Sequence, residues 1–144
     1  MQQRTYLGIS ESMVAIKAMQ QAAHDQAGRA VALVVVDHHG DMIAFSCEAG
    51  ANPALARQNA FKKAYTSACM RQHGLDFAKR LENAGMEVAD FGNANFTSGG
   101  GGMVVAQSDG LILGGIGVSG RADHEDQAIA EIGLAALKDA GRIE

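Results

Sequence analysis

Tryptophan is absent from these 144 residues, proline occurs once, cysteine twice, and the aromatic side chains are five phenylalanines and two tyrosines. Cys47 and Cys69 show no C-x-x-C spacing, which excludes a disulfide scaffold and a cysteine-rich zinc site and predicts two reduced, packed thiols. No run approaches the roughly 18 apolar residues of a membrane span. The N-terminal Met1–Tyr6 stretch lacks the apolar core of a secretory leader, so a cytoplasmic location is expected. Positive charge is scarce as well. A net charge of −4 with no basic stripe leaves no electrostatic footprint for nucleic acid or an anionic membrane surface.

What the chain has is glycine, 18 of them, together with much alanine. Small residues at this density predict close backbone packing and a pocket shaped by main chain. The length suits one domain, 1–144, with a core that needs no disulfide or metal. A helix is predicted from Ser10, its cap, to about Ala27, with Val14, Ala18, Ala22, Ile16, Met19 and Ala23 on the inner side. Val31–Val36 is a continuous apolar run and reads as a strand covered on both faces. The turn Asp37–Asp41 then returns the chain through Met42–Cys47 as a hairpin.

Asn52 and Pro53 make a strong helix start for a helix over 54–72, stopped at Gly74. A weaker helix spans 76–83. Met86–Thr97 is polar and irregular, a lid or pocket wall. Met103–Gln107 and Leu111–Val118 flank an Asp-Gly turn as a second hairpin. A last helix carries Ile129, Ile132, Gly133, Ala136, Leu137 and Ala140 inward and ends at Gly141. Hairpins separated by helices predict an α+β fold, an antiparallel sheet built from two hairpins with helices packed on it.

Gly115, Gly117 and Gly120 spell G-x-G-x-x-G between a strand and a helix, but a dinucleotide site needs a second parallel strand, and only one helix follows. Asp123, Glu125 and Asp126 also fill the helix start where a pyrophosphate would sit. These glycines are better read as letting a strand pass close to a packed helix and turn sharply.

Four patterns carry a resemblance: Val35-Val36-Asp37 with Gly40, Lys63-Ala64-Tyr65-Thr66-Ser67-Ala68, the pair Gly101-Gly102, and Gly115-Ile116-Gly117-Val118-Ser119-Gly120. The chain resembles the GlcG/HbpS-like family over nearly its whole length. The resemblance implies a profilin-like domain forming dimer-based homo-oligomers, possibly octamers. Its members include haem-binding proteins, the tail domain of some cobalamin adenosyltransferases, and proteins of organic-acid catabolism. Two departures stand out: the glycine loop has no proline, and Arg121-Ala122-Asp123-His124 replaces a glycine-rich stretch.

Those departures place a cation and an imidazole beside the expected pocket. His124, flanked by Asp123 and Glu125, suits acid–base chemistry, with Glu125 assisting the proton transfer. Arg121 suits bidentate binding of a carboxylate. Asn59, Lys63 and Thr66 share a helix face, and with the amides of Gly101 and Gly102 they would form an anion pocket; Ser119 would add a hydrogen bond. The leading expectation is therefore a small-molecule protein for an anionic organic ligand, an enzyme acting on an unsaturated or hydroxy acid without a required cofactor. The alternatives are a haem or tetrapyrrole binder in the same cleft, with His24, His73, His124 or a thiol as axial ligand, and a structural ring-forming subunit. His38 and His39 read as a solvated turn. No H-x-x-x-H or H-E-x-x-H spacing occurs, so no metal site is expected.

Overall fold

The computed structural model describes residues 1–143. Its strands are β1 (Ala32–Asp37), β2 (Met42–Cys47), β3 (Gly102–Ala106) and β4 (Ile112–Ser119). They form one antiparallel sheet in the order β2-β1-β4-β3, two hairpins joined along β1 and β4. The helices are α1 (Ile9–Asp25), α2 (Asn59–Met70), α3 (Gly74–Ala84) and α4 (Asp123–Asp139). The α+β architecture read from the hairpin spacing is therefore the observed one.

The apolar run of β1 is buried on both faces because helices cover both sides. On one side α1 and α4 pack together over Leu33, Val35, Val105, Ile116 and Val118. On the other, Ala32, Val34 and Val36 meet Ala56, Ala60, Ala64 and Ala68. Alanine at every fourth position brings α2 close enough that β4 can carry no side chain beneath it. A Cβ on Gly115 would strike the Ala64 carbonyl, and one on Gly117 the Ala60 carbonyl. Gly120 lies at φ +141°, a backbone state that favours glycine, where the chain leaves the sheet for α4.

Several boundaries differ from the sequence reading. The predicted helix over 54–72 is two segments: a π-helical stretch at Pro53–Gln58, then α2. Asn52 caps it as expected, its carboxamide oxygen accepting from the amides of Ala54 at 2.9 Å and Leu55 at 2.8 Å. Because this cap is exposed, Asn52→Ala should lower stability by about 1 kcal/mol. A urea midpoint identical to wild type would show that these two bonds contribute nothing. Gly74 begins α3 instead of ending the preceding helix, which stops at Arg71 in a left-handed conformation (φ 57°).

Helix α1 is preceded by Gly8 as its cap, whose amide donates to Glu11, and buries Ala15 in place of Ala18 and Ala22. In α4, Ile132 faces outward while Ala130 and Leu134 turn inward, and Ala140, just past its end, is exposed. Cys47 is exposed on edge strand β2, so only Cys69 is partly packed. The 86–97 segment holds a short 3-10 turn at Val88–Phe91. Phe91 and Phe96 pin it against Phe77 and Tyr65, with ring centroids 5.7–6.4 Å apart. It is a wall. Among the described residues no helix is long and apolar enough to cross a membrane.

Candidate functional site

A polar cavity of about 280 Å³ opens between α2, the start of α4 and residues 97–98. Asn59, Lys63, Ser119 and Arg121 all line it, so four residues expected to act together do converge. Their bonds, however, give them structural work. Lys63 is buried, and its Nζ donates to the Val118 carbonyl at 3.0 Å and to Asp126 at 3.1 Å. Asp126 also accepts from the Arg121 amide at 3.0 Å. Burial pushes the Asp126 carboxyl above its ordinary range. Lys63 and the Arg121 amide pull it back without cancelling that effect, and Asp123 adds to the rise.

Arg121 turns into the protein instead of toward a ligand. Its Nε donates to the Arg29 carbonyl at 2.8 Å and its Nη2 to Ala23 at 3.0 Å, which caps the last turn of α1. Ser119 donates its hydroxyl to the Leu55 carbonyl. Thr66 is buried, accepts the Thr97 amide at 2.9 Å and lies outside the cavity lining.

Two amides of the glycine loop are likewise engaged. The Gly100 amide donates to Asp123 at 3.2 Å and the Gly101 amide to Gln127 at 3.0 Å, while Gly102 pairs with Gly117 in the sheet. Those two amides are spent inside the protein, whereas the Gly102 amide sits in a non-hydrogen-bonded pair of the ladder and faces away from β4. The expected acid–base pair is not assembled either: Glu125 accepts the Ala122 amide as a helix cap, and His124 is exposed and outside the cavity. A sequence shows that charges are near a helix start. It does not show which backbone amides will consume them.

A second depression has different chemistry. Because α2 packs on β4, β1 and β3, the same face of edge strand β2 is left open. Met42 and Phe45 pair across the ladder with Val36 and Val34, so they point to the α2 side and remain half exposed. With Pro53 and Phe61 they line an open groove of about 550 Å³, bordered by Arg57 and Lys62. The Arg57 guanidinium lies 6.0 Å from the Phe45 ring centroid, within cation–π range.

Sequence reasoning missed this groove, and it took Asp126 only for a helix-start acid. The available signal was Met42-Ile43-Ala44-Phe45, apolar on both faces of what proved to be an edge strand.

Set beside known proteins, residues 8–135 match the family model described as haem degrading protein HbpS-like. The chain belongs to the HbpS-like family. Among solved structures, a double mutant of Streptomyces reticuli HbpS is 29% identical with a TM-score of 0.83, the match covering 95% of this chain and 90% of that one. Klebsiella pneumoniae ORFY is 20% identical with a TM-score of 0.84, over 96% and 94% of the two chains. PduOC, seen as a haem complex, is 23% identical with a TM-score of 0.80, over 92% and 95%. No curated protein matches this HbpS-like chain in sequence.

Proposed function

We propose that this HbpS-like protein binds haem in the groove beside β2. The observation that carries the reading is an apolar, aromatic-lined groove of porphyrin-compatible size with two cations on its border. Met42, Phe45, Pro53 and Phe61 would cover the macrocycle faces, and Arg57 and Lys62 would pair with the two propionates. Met42 is the groove's one side chain of a usual haem-ligand type, and its thioether would hold the iron. Bound haem would supply redox-active iron; the chain's own part is to orient it, shield its faces and neutralise its carboxylates. The haem-degrading description of the family supports the same choice.

The histidines considered as axial ligands do not reach this groove. His24 and His124 are exposed elsewhere, and His73 Nδ1 accepts the Val104 amide at 3.2 Å. The organic-acid reading has less support. Its polar cavity offers a convergent set of residues, but Lys63, Ser119 and two of the three Arg121 nitrogens bond within the protein, and about 280 Å³ is small for a tetrapyrrole.

A haemin titration followed in the Soret region tests the proposal. Saturation at one haem per chain is expected. Met42→Ala should shift the Soret band, and Arg57→Ala should weaken binding about tenfold or more, a bond to a charged group being worth about 1.5–3 kcal/mol. Unsaturable binding, or saturable binding indifferent to both changes, would remove haem from this groove.

A further inference from the structure

Apart from that groove, between the β1–β2 turn and the C-terminal end of α2, lies a separate cavity of about 560 Å³. Arg4, His38, His39 and Arg71 line it, with Cys69 and Ile112 completing its walls. It shares no lining residue with the groove or the polar cavity. Four basic side chains from three separate parts of the chain meet here, in a protein of net charge −4.

The two arginines are not neutralised. Among the described residues, neither Arg4 nor Arg71 has a carboxylate within salt-bridge distance. The nearby Asp37 spends its Oδ1 on the amides of His39 at 2.8 Å and Asp41 at 3.0 Å. Arg4 is held in place by a bond from Nη2 to the Ile112 carbonyl, while its buried Nε has no partner. His38 stacks between Tyr6 and His39, with ring centroids at 5.6 Å and 3.9 Å. Arg71 is the one non-glycine residue among those described with a positive φ, at a helix end where glycine is usual.

We propose that this cavity binds a dianionic phosphate group, free or as the end of a small ester, held by Arg4, Arg71, His38 and His39. Donors arriving from several directions suit a tetrahedral anion with three free oxygens better than a planar carboxylate. The cavity is roomy enough for an ester's organic part beside Ala68 and Ile112. The negative end of α2 opposes an anion here, but a helix end carries only about half a charge against two guanidiniums.

The facing ionisable groups fit the same picture. Burial, then Arg4 and His39, hold the His38 imidazole below its ordinary value, with Asp37 and Asp41 pulling the other way. A bound dianion would reverse that balance and raise it. Burial pushes the Cys69 thiol up, Asp37 and Asp41 add to this, and a Tyr65 bond opposes it. Cys69 is therefore a neutral wall group, not a nucleophile.

The experiment is a titration of the full chain with inorganic phosphate, a phosphate monoester such as glycerol 2-phosphate, and acetate, read by NMR of the histidine rings. Both phosphates should saturate and raise the His38 pKa, and acetate should not. Tighter binding of the ester would identify an ester site, and equal binding a free-phosphate site. Arg71→Gly should weaken phosphate at least tenfold while raising the melting temperature, because glycine tolerates the left-handed backbone. Arg4→Gln should weaken it as well. Unsaturable shifts, equal binding of acetate, unchanged affinity in both variants, or displacement of phosphate by stoichiometric haemin would overturn the proposal.

Discussion

Gly117→Val is expected to cost about 3 kcal/mol or more of folding stability, the upper range for forcing volume into a packed core. A Cβ at this position would stand 2.7 Å from the Ala64 amide nitrogen and closer still to the Ala60 carbonyl oxygen. Both are backbone atoms of α2, so no side-chain rotation relieves the clash. Valine's better fit to a strand is worth about 1 kcal/mol at most, too little to compensate. Helix α2 would have to lift, and the alanine face formed by Ala56, Ala60, Ala64 and Ala68 would separate from β1 and β4. For a protein stable by about 5–15 kcal/mol, that is a large share of the total. Urea denaturation measures it. A loss under about 0.5 kcal/mol would mean that α2 rides over β4 with room to spare.

Lys63→Met should cost about 3–5 kcal/mol, the usual penalty for removing one partner of a buried ion pair. Asp126 would keep its place behind the Arg121 amide but lose the one cation paired with it among the described residues. Its carboxyl already titrates above the ordinary range because burial outweighs Lys63. The pair is thus costly to bury yet more costly to break. The double variant Lys63→Met/Asp126→Asn should recover most of the loss. An asparagine retains the acceptor for Arg121 and leaves no buried charge. A double-mutant cycle by urea unfolding reads the coupling. If the two single losses add, Lys63 and Asp126 act independently and the account fails.

Much of the fold was legible because its signals are local. The all-apolar stretch of β1, the Asn52-Pro53 helix start and the two hairpin turns each depend on neighbours a few residues apart. Glycine at 115, 117 and 120 already argued for a close helix crossing and a sharp turn; α2 crosses at Gly115 and Gly117, and Gly120 makes the turn beside Ala30. The site was less legible. Asn59, Lys63, Ser119 and Arg121 line one cavity, while Arg121, Glu125 and the Gly101 amide bond to groups that their spacing did not indicate.

By itself the sequence determined the order of elements, the two-hairpin sheet and the small-residue face on which α2 lies, since periodicity and turn chemistry are properties of adjacent residues. Only the tertiary structure decided which charges are spent and which are free. Lys63 meets Asp126 across 63 residues and Arg121 meets Ala23 across 98, separations that no spacing rule encodes. The same geometry left Met42 and Phe45 uncovered on β2 and gathered Arg4, His38, His39 and Arg71 around one cavity. Which face a helix covers, and which donors it satisfies there, is settled only when the layers close.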